Sequence, residues 1–142
     1  MRGWKERGLR HLAALAAELV TEVVTRPAAD VITYIPPDPV RQLERKRHPA
    51  QALAEELAAR WSLEPAALLR RRRAAARQAS LRLAQRGGNV NDVFATVEIV
   101  HGRVLLVDDV YTSGSTAAAT ARALRRAGAE RVDVVTFARA LR

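Results

Sequence analysis

The stretch Val104-Leu105-Leu106-Val107-Asp108-Asp109-Val110-Tyr111-Thr112-Ser113-Gly114-Ser115-Thr116 constrains the fold of this chain more than any other part of it. Its first four residues form a continuous apolar run, read as a buried strand. Two adjacent carboxylates end the run, and a loop rich in hydroxyls and carrying one glycine follows. Residues 116–127 are strong helix formers with Leu124 toward the core, and Gly128 stands where a left-handed residue commonly closes a helix. Residues 132–137 read as a further strand. Strand, helix and strand with a short return make a right-handed βαβ unit, so the two strands are expected to lie parallel.

The rest of the chain supplies what such a unit packs against. Residues 4–24 are predicted helical, with Leu12, Ala16, Leu19, Val20 and Val23 as one apolar stripe covering the core. Val31-Ile32-Thr33-Tyr34-Ile35 reads as a buried strand that runs into Pro36-Pro37-Asp38-Pro39, a sequence no helix or central strand tolerates. The basic residues Arg41, Arg45, Lys46 and Arg47 come next. Residues 50–61 form an amphipathic helix with Leu53, Leu57 and Trp61 on one face. Val97 and Ile99 alternate as in a strand, followed by a turn at His101-Gly102. The expected fold class is α/β, with a mostly parallel central sheet flanked by helices in a single domain over 1–142, and with an N-terminal helix within 1–26. At 142 residues and 49% apolar composition the chain suffices for its own core, which must be aliphatic because aromatics are 4%.

Charge narrows the partners. Lys plus Arg number 24 against 15 Asp plus Glu, a formal charge of +9 that favours nucleic acid, phosphorylated metabolites or an acidic protein. The densest basic stretch runs from Arg70-Arg71-Arg72-Arg73 through Arg77 and Arg82 to Arg86 without an acid, and reads as a strand followed by a helix or as a mobile segment. With no cysteine, the chain has no disulfide, no thiol nucleophile and no Cys-based zinc site, so no zinc is expected. His11, His48 and His101 are far apart in sequence, and a metal site built on them would need long-range convergence. Nothing reads as a signal peptide, and no run approaches the ~20 apolar residues of a membrane helix, so a cytoplasmic location is expected.

The chemistry concentrates in the strand–loop–helix segment. The loop and the helix start combine unpaired backbone N–H groups, the positive end of a helix dipole and the hydroxyls of Thr112, Ser113, Ser115 and Thr116, which together make a phosphate cradle. Gly114 lets the backbone approach an anion and take a positive φ. Asp108 and Asp109 would repel that anion, so they must face something else: a sugar diol that donates two O–H groups, or Mg²⁺ shared with phosphate oxygens. A helix cap would need one Asp, and it explains neither the second acid nor the hydroxyls.

This segment resembles the phosphoribosyl pyrophosphate (PRPP) binding motif of the type I phosphoribosyltransferases, with Ser113 in place of a Thr. More of the chain is similar to the ComF family, phosphoribosyltransferase-like proteins linked to DNA uptake competence. The similarity runs through Arg2-Gly3-Trp4, Ile35-Pro36-Pro37 with Arg41, and Arg45-Lys46-Arg47-His48-Pro49-Ala50-Gln51-Ala52-Leu53-Ala54. It continues through Arg77-Gln78, Leu81, Arg86, Asn89 and Phe94 to Leu141. Two features depart from the family. Its members usually carry a Cys zinc ribbon before the core, so this chain is either a ribbon-less member or a fragment, and His48-Pro49-Ala50 stands where Gly-Phe-Asn is usual.

The resemblance implies roles. Asp108 and Asp109 would hold the ribose hydroxyls and a Mg²⁺ shell, and Thr112, Ser113, Gly114, Ser115 and Thr116 the 5-phosphate. Pro36, Pro37 and Asp38 would border the pyrophosphate, with Arg41, Lys46 and Arg47 supplying positive charge or forming a solvated basic surface. Residues 70–90 fall where the fold carries a flexible loop, and their arginines suit closure over pyrophosphate, contact with nucleic acid, or plain solvation. Trp61 and Phe94 are expected in the core. The implied ligand is PRPP or a related ribose 5-phosphate, with an unidentified acceptor if the protein turns over. DNA or a competence protein is the alternative partner.

Overall fold

A computed structural model describes residues 2–37, 48–72, 93–111 and 113–139. Asp38, Arg41, Arg45, Lys46, Arg47, Thr112, Asn89 and the arginines at 73, 77, 82 and 86 lie outside the described residues. In chain order the elements are α1 (Arg2–Val23), β1 (Val31–Tyr34), α2 (Pro49–Trp61), β2 (Glu64–Pro65), β3 (Leu69–Arg71), β4 (Phe94–Thr96), β5 (Arg103–Tyr111), α3 (Ser115–Arg126) and β6 (Arg131–Arg139). The main sheet has the order β2-β1-β5-β6, and every pair in it is parallel. β3 and β4 form a separate antiparallel pair. The expected parallel α/β architecture is present, with element ends within a few residues of their predicted places.

β5 is the spine because its apolar run serves two layers. Val104, Leu105, Leu106 and Val107 are each at most 1% exposed. Leu105 and Val107 pack with Ala16, Ala17 and Val20 of α1 and with Leu53, Leu57 and Trp61 of α2. Val104 and Leu106 pack with Ala117, Ala123 and Leu124 of α3 and with Phe94 of β4. Successive strand residues point to opposite faces, which is why four consecutive apolar residues were needed. Each such side chain contributes roughly 1.5–3 kcal/mol on burial. Trp61 and Phe94 are core residues, as expected.

Two expectations fail on packing. α1 buries Ala13, Ala16, Ala17 and Val20, while Leu12, Leu15, Leu19 and Val23 are 45–83% exposed. The predicted stripe mixed two neighbouring ridges, and the helix turns its small-residue ridge inward, where close approach to α2 and the sheet is required. Val97 and Ile99 are not strand residues. The chain bends after Thr96 and leaves both exposed, because Val100 must reach α3, where its N–H donates to the Ala127 carbonyl at 2.9 Å.

The amino ends of β1 and β5 are clasped. Asp30 Oδ2 accepts the Arg103 N–H at 2.8 Å, the Arg103 guanidinium pairs with the same carboxylate, and the Asp30 N–H returns to the Arg103 carbonyl. Gly102 has φ 71°, and a Cβ there would stand 2.6 Å from Asp30 Oδ2, so only glycine allows the clasp. The register Val31↔Val104 to Tyr34↔Val107 follows from it.

Candidate functional site

From β1 the chain crosses through α2 to β2 on one side of the sheet, and from β5 it crosses through α3 to β6 on the other. β1 and β5 are therefore neighbours from which the windings diverge, and in open parallel sheets the crevice beyond such a pair's carboxyl ends is where ligands bind. The Ile35 N–H donates to the Val107 carbonyl at 3.0 Å, carrying the ladder one residue past β1. That places Pro36 and Pro37 alongside Asp108 and Asp109. No peptide among the described residues is cis, so the bonds before both prolines are trans.

β5 continues past the acids, contrary to the expected end at Val107. Asp108 pairs with Thr136, Val110 with Ala138 and Tyr111 with Arg139. Partnership with β6 outlasts partnership with β1, so Asp108 to Tyr111 form a lip above the end of β1. The two acids are consecutive, and their carboxyl groups lie close enough to interact. Each is steadied by the next peptide: Asp108 Oδ1 accepts the Asp109 N–H at 2.9 Å, and Asp109 Oδ1 accepts the Val110 N–H at 3.0 Å. Burial raises the Asp108 pKa to about 6, with further upward pressure from the Asp109 carboxylate beside it. A half-buried acid pair of this kind is stabilised by a cation or by hydroxyl donors.

The loop that follows is shaped for α3. Gly114 caps the helix at φ 74°, in the left-handed region. The Ser113 and Ser115 hydroxyls share a hydrogen bond at 2.8 Å, and the Ser115 N–H reaches Ser113 Oγ at 3.4 Å. Ser113, Ser115 and Thr116 are exposed. α3 carries no acid in its first turn and Arg125 and Arg126 in its last, a distribution that leaves the positive N-terminal end uncompensated and available to an anion. Pro36, Pro37, Asp108, Asp109, Ser113, Gly114, Ser115 and Thr116 are thus gathered at one end of the sheet. Arg41, Lys46, Arg47 and Thr112 are outside the described residues.

Among the described residues no group of three or more His, Cys, Asp or Glu is placed to hold a metal. The site fits Mg²⁺ in the manner usual for that ion, through one or two carboxylates with water and substrate phosphate completing the shell. β3 falls at the start of the arginine stretch, where a strand was one of the open readings, but its pairing with β4 was not foreseen. The two strands are short and meet across a long sequence gap, and the one hint of the pairing was Phe94, an isolated aromatic after a polar stretch.

A profile described as "Phosphoribosyl transferase domain" matches residues 49–142. The chain belongs to the phosphoribosyl transferase domain family. This phosphoribosyl transferase domain is 30% identical to Competence protein F of Haemophilus influenzae over 143 residues, which is 96% of this chain and 62% of that protein. It therefore spans somewhat under two-thirds of that relative's length. Two solved structures share its fold. The glutamine PRPP amidotransferase of B. subtilis, complexed with ADP and GMP, superposes with a TM-score of 0.61 at 24% identity, over 91% of this chain and 26% of that one. A structure described as the allosteric regulatory enzyme of purine biosynthesis gives 0.63 at 25% identity, over 91% and 25%. The similarity to Competence protein F is of the kind the sequence resemblance led one to expect, and no described helix is long and apolar enough to cross a membrane.

Proposed function

We propose that the crevice beyond β1 and β5 binds PRPP, or a related ribose 5-phosphate, together with Mg²⁺. The observation that carries this is the Asp108-Asp109 lip standing beside the hydroxyl-lined start of α3 at the divergence of the sheet. Asp108 and Asp109 accept hydrogen bonds from the ribose hydroxyls and hold waters of the ion's shell. Thr112, Ser113, Gly114, Ser115 and Thr116 hold the 5-phosphate through backbone N–H groups and hydroxyls. Pro36 and Pro37, with Arg41, Lys46 and Arg47, border the pyrophosphate. When bound, Mg²⁺ neutralises pyrophosphate charge and favours its departure.

If the protein turns over, an acceptor atom attacks C1 of the ribose, the C1–O bond to pyrophosphate breaks, and pyrophosphate leaves with the electron pair. The protein supplies alignment and charge stabilisation, and no covalent nucleophile is required. A competing reading, that the pocket binds without turnover and serves DNA uptake in the cytoplasm, draws support from the resemblance to Competence protein F.

Calorimetric titration of PRPP with and without Mg²⁺ tests the first reading, beside an Asp108→Asn/Asp109→Asn double variant. Saturable Mg²⁺-dependent binding that the variant loses is the expected result. Absence of binding by folded wild-type protein would refute it. Turnover in an acceptor screen then separates enzyme from binding module.

A further inference from the structure

Arg71 ends β3 directly opposite Phe94 of β4. Its guanidinium carbon stands 4.8 Å from the centroid of the Phe94 ring, a cation–π distance. Its Nε donates to the Pro36 carbonyl at 3.0 Å. Phe94 is 3% exposed and packed in the core under α3, so the ring is a fixed platform. Pro36 follows the last ladder bond of β1 beside the acid pair. One side chain thus connects the core, the β3–β4 pair and the exit of β1. The same pair is closed on its far side by the Arg72 N–H, which donates to the Val93 carbonyl at 2.9 Å.

We infer that Arg71 is a positioning residue for the pyrophosphate half of the proposed site, acting through the Pro36 peptide. The inference rests on the PRPP reading above. A planar guanidinium suits this task because it stacks on a ring face while its edge N–H addresses a carbonyl in a fixed direction, and a lysine ammonium cannot do both. The Pro36 carbonyl lies one residue past the last ladder bond of β1, so the Arg71 hydrogen bond sets the orientation of the Pro36–Pro37 peptide beside the acid pair. The 5-phosphate half stands at the start of α3, which continues from β5, whereas Arg71 holds the exit of β1, so the two halves of the ligand should respond differently to its loss.

The test is calorimetry in Mg²⁺ on wild type, Arg71→Leu, Arg71→Lys and Arg122→Gln, the last removing one charge from the exposed middle of α3. The probes are PRPP, inorganic pyrophosphate and ribose 5-phosphate, with thermal unfolding recorded for each protein. Both Arg71 variants should weaken PRPP and pyrophosphate about tenfold and leave ribose 5-phosphate within about twofold, the cost of ordering the Pro36 peptide on binding, once its support is gone, being of that size. Arg122→Gln should match wild type. Equal weakening of all three probes with a lowered unfolding midpoint would make Arg71 a general support of the fold and overturn the inference. Unchanged PRPP affinity would overturn it too, as would full activity of Arg71→Lys in binding, which would reduce the role to charge. Failure of wild type to bind both PRPP and ribose 5-phosphate would instead refute the site reading beneath it.

Discussion

Asp108 is the residue whose titration carries most consequence. Its carboxyl ionises near 6 in the fold and near 3.8 when unfolded. Between those values the native state binds more protons than the unfolded state, so stability should fall as pH rises from about 4 to about 6 and level off above. Asp108→Asn removes this loss while its amide oxygen can still accept the Asp109 N–H. The variant should gain thermal midpoint over wild type at pH 7.5 and gain less at pH 4.5, as differential scanning calorimetry would show. Ligand binding should run the other way. PRPP–Mg²⁺ affinity should rise through pH 6 as Asp108 ionises, and calorimetric titrations at pH 5, 6 and 7.5 measure it. Opposite pH trends for stability and affinity are what a group kept for binding rather than for folding would give.

At the scale of elements, one glycine just past a helix and one within a helix make a matched pair of experiments. Gly128 follows α3 at φ 115°, and a Cβ there would stand 2.5 Å from the Val100 carbonyl oxygen. Gly128→Ala should destabilise by about 1–3 kcal/mol. Gly8 lies within α1 with nothing within 4 Å of an added Cβ. Gly8→Ala should stabilise by up to ~1 kcal/mol. Urea unfolding of both checks the signs. Leu124, fully buried between α3 and the sheet, should cost about 2–5 kcal/mol when cut to Ala by the same assay. The glycine at the end of α3 was legible in the sequence because a left-handed stop has a residue signature. So were β5, its acids and the start of α3, where pattern, loop chemistry and helix propensity agree. The face of α1 was not, since Leu12 and Ala13 both satisfy a helical period and only the room available against α2 decides between them. Nor was the β3–β4 pairing, whose register depends on contacts distant in sequence. Arg71 was visible as one of four consecutive arginines, but its individual role depends on Phe94 and Pro36, which no local pattern links to it.

For the whole molecule the formal charge of +9 makes nucleic acid a competitor for any anionic surface. If DNA binds by charge alone, log affinity should fall linearly with log salt. Saturating PRPP–Mg²⁺ should leave that affinity unchanged where DNA uses a different surface. Fluorescence anisotropy with a short duplex at several salt concentrations, with and without PRPP–Mg²⁺, would measure both. Competition by PRPP would instead show that DNA phosphates occupy the crevice.

The clasp between Asp30 and Arg103 joins residues 73 positions apart, and the pairing of β1 with β5 that it secures has the same span. Sheet closure must therefore wait for a long loop to be brought together, an entropic delay characteristic of parallel topologies. During synthesis, α1, β1 and α2 emerge well before the strand that buries their inner faces, leaving Leu53, Leu57 and Trp61 without their final neighbours until Val107 has cleared the ribosome. The segment that carries the acid pair is thus also the one whose arrival commits the nascent chain to its native layout.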